Sequence, residues 1–402
     1  MKSINYNIIF NIIFSISILL SGFNFIPNLR FYNIPFYHFS IFIFILSILF
    51  FSKINLKLKV YNFEVYYKLF IIFSIPSLII SVILNKENAI LVFFYNITPI
   101  IIYNFYKNNL SIEQYYKFAF LLLISVFIIV IIGWLIRLNL IPINVFYDVK
   151  IKEYLLGYWG IKYQTSTRNH DTIYPIVGLA YSFLFYKQAK NKIYLFLCLF
   201  FMITLIASLS RGALIITIIF TFILTYKELK LRNFLFFLFL LFSFYIFYNL
   251  SNYIYWDVIF DNFLSIFETK NENSRFSNED RLLIAKKAIE SSLFNPIGYG
   301  IENYSSIYET NINKSYTAEN VFLTILVERG WLAFIFYFRY IYSILNLNKL
   351  NHYNLINYFL CIFLLFNYEI NNLFINMLFF FAMINLNIFN NENISFNSSK
   401  LF

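Results

Sequence analysis

The chain has 402 residues, 60% of them apolar and only 13% charged, with a mean hydropathy of +0.68. Soluble domains usually carry about 25% charged residues. Apolar runs this long and frequent exclude a string of soluble domains and favour one all-α integral membrane domain over 1–402.

The net charge of +11 would suggest nucleic acid in a soluble protein. In a membrane chain it is first read as loop Lys and Arg, and no nucleic-acid partner is expected. Cys198 and Cys361 both fall inside apolar runs and form no CxxC motif, which argues against redox chemistry. The first apolar run follows a single Lys2 and lacks a small-x-small cleavage site, so it reads as a retained helix.

A span needs about 20 mainly apolar residues. In chain order the candidates are 8–26, 36–52, 66–84, 89–106, 117–136, 172–186, 193–209, 212–226, 233–250, 319–343, 355–370 and 371–389, about twelve transmembrane helices in all. Basic residues in short loops set orientation. With the N-terminus inside, cytoplasmic connections hold Lys53, Lys57, Lys59, Lys107, Lys117, Lys187, Lys190, Lys192, Lys227, Lys230, Arg232 and Lys349. Short outer turns hold only Arg30, Lys86 and Arg211. This asymmetry predicts an N-in, C-in chain with large outer loops, about 137–171 and about 251–318, before the sixth and tenth spans. Only Glu64, Glu113, Glu228 and Glu392 of the 20 acids then fall inside. Ionisable side chains available for chemistry therefore gather on the outer face, where long loops on a rigid scaffold tend to carry function.

The first outer loop ends Thr167-Arg168-Asn169-His170-Asp171 and holds one of the chain's three histidines. His170 beside Asp171 is either a base or a solvated loop histidine. Ser208-Leu209-Ser210-Arg211-Gly212-Ala213-Leu214 joins two spans with almost no loop. Arg211 either faces a cavity or substrate or snorkels to headgroups.

The second outer loop carries an amphipathic helix, with Asn278 as expected N-cap, acids Glu279 and Asp280 in the first turn, and a stop at Asn295-Pro296. Leu282, Ala285, Ala288, Ile289 and Leu293 are expected on its inward face together with Arg281, leaving Lys286, Lys287 and Glu290 outside. An inward guanidinium needs an anion, either a carboxylate or a substrate phosphate. Pro296-Ile297-Gly298-Tyr299-Gly300 reads as a turn.

Thr317-Ala318-Glu319-Asn320-Val321-Phe322-Leu323 enters the tenth span, with Thr317 or Ala318 as expected cap and Glu319 in the first turn. Glu328-Arg329, deeper in that span, reads as a structural ion pair. No zinc-ligand spacing, P-loop, dinucleotide fingerprint or Ser-His-Asp signature is present, so no metal or cofactor is expected.

These motifs together resemble the O-antigen polymerase (Wzy) and O-antigen ligase superfamily of membrane glycosyltransferases. The resemblance rests on Ser210-Arg211-Gly212-Ala213-Leu214 between two spans, Arg281 in a loop helix, and Asn295-Pro296-Ile297-Gly298-Tyr299-Gly300. It continues through Glu319-Asn320-Val321-Phe322-Leu323 and Glu328-Arg329-Gly330-Trp331-Leu332, and covers roughly 165–345. It implies a GT-C-like scaffold in a bacterial inner membrane with an extracytoplasmic active face. Ten residues separate Glu319 from Gly330, and the ligase branch typically has histidine at the position of Glu319. Glutamate before Asn320 fits the polymerase branch better.

The implied donor is a glycan on undecaprenyl pyrophosphate and the implied acceptor a sugar hydroxyl on another lipid-linked repeat. Further partners would be a chain-length regulator and a flippase. Arg211 and Arg281 would stabilise the departing pyrophosphate, and Glu319 would serve as base. Arg168, His170 and Asn320 would help to hold the glycan. The competing readings are a ligase that moves finished polymer onto lipid A-core, and a flippase. A flippase should show internal two-fold repetition and mid-membrane charges, and no repeat is evident.

Overall fold

A computed structural model describes residues 6–21, 30–31, 34–35, 45, 61–86, 88–107, 110–137, 172–207, 215–220, 272–304, 320–345, 355–365 and 373–391. Over these residues the chain is mainly helical, with turns at 84–86 and 295–304 and one two-residue antiparallel pairing. In it Arg30–Phe31 (β1) meets Ile34–Pro35 (β2), with Arg30 opposite Pro35. The helices are α1 (Tyr6–Ser21), α2 (Asn62–Phe73), α3 (Ile75–Ile83), α4 (Ala89–Tyr106), α5 (Ile112–Arg137) and α6 (Ile173–Ala189). They continue with α7 (Lys192–Ala207), α8 (Glu272–Phe294), α9 (Val321–Leu345), α10 (Leu355–Leu365) and α11 (Leu373–Asn391).

Among the described residues, four stretches are long and apolar enough to cross a membrane: Asn62–Ile83, Ala89–Tyr106, Ile112–Leu135 and Val321–Leu345. The first combines α2 and α3. Pro76 lacks an N–H and interrupts the helical ladder, and the Ser74 hydroxyl donates to the Phe70 carbonyl at 2.7 Å at the break. Most other expected spans overlap a helix with shifted ends; 212–226 is helical over 215–220, while 36–52 apart from Ile45, and all of 233–250, lie outside the described residues.

The core is built around α11, which is buried on every side from Phe374 to Leu386. A helix that is apolar all round belongs at the centre of a bundle. Against it α9 runs antiparallel to α2, and their rings interlock. Tyr67 meets Tyr340 at 4.6 Å, Phe70 meets Tyr337 at 5.0 Å, and Phe379 of α11 closes the cluster on Tyr340 at 5.7 Å.

Polar groups gather at two levels. At one, Glu64 accepts from Lys107 Nζ at 3.0 Å and from the Tyr103 hydroxyl at 3.1 Å, and Asn387 donates to the Lys107 carbonyl at 2.7 Å. At the other, the turn after α3 with Lys86 and Asn88 meets Glu302. Groups assigned from charge bias to one side of the membrane thus meet each other at one level of the bundle: Glu64 with Lys107, and Lys86 with the 251–318 connection.

Candidate functional site

The second polar level is organised by a break inside α9. Gly330 has φ 80° and ψ 178°, outside the helical region, so the helix kinks there. The carbonyls and N–H groups freed by the kink pair with the loop that follows α8. Tyr299 N–H donates to Val327 O at 2.9 Å, Gly300 N–H to Glu328 O at 3.0 Å, and Trp331 N–H to Pro296 O at 3.0 Å.

Close backbone approach requires glycine at both sides of this junction. A Cβ on Gly298 (φ 97°) would meet the Glu328 carbonyl, and one on Gly330 would meet the Pro296 carbonyl. The expected turn is present, closed by the Gly298 N–H on Asn295 O at 3.1 Å, and the residues that follow it pair as a splice onto the tenth span.

Other side chains complete the junction. Asn295 Nδ2 donates to Gly298 O at 2.9 Å, the Tyr299 hydroxyl to Ser291 O at 3.2 Å, and Trp331 Nε1 to Ser292 O at 3.1 Å. From α3, the Ser77 hydroxyl donates to Glu328 O, and the Ser81 hydroxyl is 3.0 Å from Ile301 O. These serines were missed in the sequence. Their signal is a pair of hydroxyls four residues apart on an otherwise apolar helix.

Glu328 and Arg329, expected as a structural ion pair, are both buried and lie in each other's field, and each also has hydrogen-bond partners of its own. The Glu328 carboxylate takes the backbone N–H groups of Glu302 and Tyr304. Arg329 Nη1 reaches Ser74 Oγ at 3.4 Å, with its guanidinium 5.1 Å from the Phe70 ring centre. Adjacent helical residues point about 100° apart, so each charge serves its own neighbour while still sitting in the other's field. Glu302 has a left-handed backbone (φ 62°). Burial pushes its carboxyl above the ordinary range, against the opposing pull of Lys86 and a hydrogen bond with the Asn88 side chain.

Three sequence expectations for α8 and α9 are corrected. Helix α8 begins at Glu272, not after Asn278. Each added turn contributes hydrogen bonds that outweigh a single cap. Its buried face carries Ile284, Ala288 and Ser292, whereas Ile289 and Leu293 are exposed. In a membrane-associated chain an apolar side chain need not face the protein core, so the apolar arc misplaces the inward face by roughly a quarter turn. Position 281 nonetheless stays in the register of 284, 288 and 292. Helix α9 starts at Val321, and Asn320 is its cap, with Oδ1 accepting from the N–H of Phe322 at 2.8 Å and of Leu323 at 3.4 Å. The expected caps Thr317 and Ala318, like Glu319, lie outside the described residues.

The two helices run side by side in the same direction. Ser292 is tied to Trp331, and further up Ile284 and Ala288 pack in one cluster with Val327 and Leu323. Counted upstream from Ala288 and Val327 of that cluster, on the helical side of the Gly330 kink, positions 281 and 320 are each seven residues away. With the same rise of about 1.5 Å per residue in both helices, position 281 comes level with Asn320. Of the sequence-chosen residues, the fold thus brings Arg281 and Asn320 to one level by backbone register. Arg211, Glu319, Arg168 and His170 lie outside the described residues.

The apolar crossings and the site between α8 and α9 define the class: a helical membrane protein with a loop helix spliced onto a kinked span. Residues 193–338 match the family model described as O-antigen ligase, and this segment includes α8, the Pro296–Gly300 splice and the Gly330 kink. Over that segment, about a third of the chain, the protein is similar to the O-antigen ligase family, whose members are glycosyltransferase-like enzymes. No curated protein and no solved structure matches it.

Proposed function

We propose that the chain is a surface-polysaccharide polymerase. It transfers a glycan from an undecaprenyl-pyrophosphate-linked donor to a sugar hydroxyl of another lipid-linked repeat, on the outer face of a bacterial inner membrane. The observation that carries this reading is the shared level of position 281 and Asn320 within the matched segment. That register sets an arginine position beside the residue that follows Glu319.

In the reaction the acceptor hydroxyl oxygen bonds to the anomeric carbon. The bond from that carbon to the pyrophosphate oxygen breaks, and the electron pair leaves with the pyrophosphate. Glu319 takes the hydroxyl proton. Arg211 and Arg281 neutralise the growing charge on the leaving group, since a planar guanidinium matches phosphate oxygens. Arg168, His170 and Asn320 hold the glycan.

The test is single replacement, Arg211→Ala, Arg281→Ala and Glu319→Ala, with surface-glycan length followed in cells. Shortening to single-repeat products at unchanged protein level is expected. Normal long polymers from all three would overturn the site assignment. The family description favours a second reading, a ligase that moves finished polymer onto lipid A-core. The same strains separate the two, because loss of a ligase leaves long polymer on its lipid carrier, whereas loss of a polymerase leaves acceptors carrying one repeat.

A further inference from the structure

The C-terminal end of α8 presents an apolar tip that is exposed among the described residues. Leu293 is 66% exposed, Phe294 87% and Ile297 54%. Pro296 between them is also exposed, and the polar Asn295 is turned back onto Gly298 O. The tip carries no charge. The nearest charges on the exposed side of the helix are Lys286 and Glu290, further up, 3.9 Å from each other. Apolar side chains concentrated at one end of a helix, with charges kept to the other, are arranged for a boundary between oil and water.

The tip is also continuous with the outward face of a spanning helix. Trp331 holds it by two hydrogen bonds, from its backbone to Pro296 O at 3.0 Å and from Nε1 to Ser292 O at 3.1 Å. Leu332 follows at 52% exposure. The same outward side of α9 continues through Ile335 at 40% and Phe338 at 54%, spaced at helical intervals along the crossing. A tip fixed beside the start of a lipid-facing stripe meets the same solvent as that stripe.

We infer that residues 293–297 are a membrane-inserted tip. The end of α8 dips into the bilayer at the level of the Gly330 kink, and its occupant is the acyl-chain boundary of the leaflet on the Lys86 side. The tip holds α8 at a set depth, with position 281 further from the bilayer centre. This rests on the chain crossing a membrane and not on which glycan transfer it performs.

The experiment uses the full-length protein in phosphatidylethanolamine/phosphatidylglycerol vesicles. Phe294→Cys, Ile297→Cys, Leu332→Cys and Lys286→Cys are each labelled with an environment-sensitive fluorophore. The parent protein, whose Cys198 and Cys361 are buried, supplies the background. Brominated acyl chains should quench probes at 294 and 297 to an extent comparable with 332. Aqueous iodide should quench them at least about threefold less than the probe at 286.

Iodide quenching at 294 and 297 equal to that at 286 would overturn the inference. So would protection from both quenchers, the result expected if a protein covers the tip. Failure of bromolipid to reach 332 would remove its basis as well. Glycan length in cells is read separately, so the tip and the polymerase reading can fail independently.

Discussion

The carbonyl of Pro296 occupies the space that a side chain on Gly330 would need, while the same carbonyl accepts the N–H of Trp331 at 3.0 Å. The loop after α8 and the kinked span are therefore complementary only as long as residue 330 has no Cβ and its φ stays at 80°.

Gly330→Ala and Gly298→Ala are both expected to destabilise the protein. Each forces a non-glycine residue into a region that costs about 1–3 kcal/mol and adds a collision with backbone that cannot move aside. Gly178→Ala is the contrast, because the nearest atoms its methyl would meet belong to the Phe201 side chain and not to backbone, and no positive φ is imposed there. Thermal unfolding in detergent should rank the two junction glycines as the more damaging.

Glu64 is fully buried, and Lys107 is nearly so. Glu64→Ala leaves the Lys107 ammonium and the Tyr103 hydroxyl without their acceptor, a loss on the order of 3–5 kcal/mol. Lys68 sits 3.9 Å from the same carboxylate but is 42% exposed, so Lys68→Ala should cost about 0–1 kcal/mol. Comparable losses from the two variants would show that the buried pair is not what holds α2 to α4.

Much of the bundle was readable because its signal is local. The run 89–106 appears as α4 with both ends as expected, since Lys86 and Lys107 bracket a mainly apolar stretch without a charged residue. The inward face of α8 was not readable in the same way. Hydrophobic periodicity reports which side avoids water, and beside a bilayer that side can be the one facing lipid, as at Leu293. The splice between Tyr299 and Val327 has no periodicity at all. It is backbone pairing between distant segments, and its trace in the sequence is the glycines at 298, 300 and 330. Position 281 keeps the register of the observed face even though the arc around it shifts, because Ala288 belongs to both the expected and the observed face.

Asn320 is predicted to matter twice. Asn320→Ala removes the acceptor for the Phe322 N–H and should cost about 1 kcal/mol, while Asn320→Asp or Asn320→Ser should retain most of the stability. If Asn320 also holds glycan, Asn320→Ser should shorten the polymer although the cap survives. Full-length polymer from a stable Asn320→Ser protein would confine this residue to capping.

Glu302 gives the junction a pH dependence. Its carboxyl is raised above the ordinary 4.5 on folding, chiefly by burial. The folded state thus binds that proton more tightly, and the resulting stability is full below the unfolded value and lost as pH rises through the folded one. Glu302→Gln should remove this loss, so the melting temperature of the variant relative to the parent should climb from acidic toward neutral pH. A constant difference across that range would sink the assignment.

Tyr304 packs with Leu323 and Val327, and its backbone N–H is held by Glu328, so it sits on the same part of the framework as the helix that Asn320 caps. The connection 305–319 is therefore anchored at both ends by one framework, and the two halves of the polypeptide adhere through α9, α2 and the splice without needing the peptide bonds between them. Genes encoding 1–304 and 320–402 as separate chains, or a protease site inserted within 305–319, should yield fragments that copurify. That would make this connection a place to open the polypeptide without dismantling it.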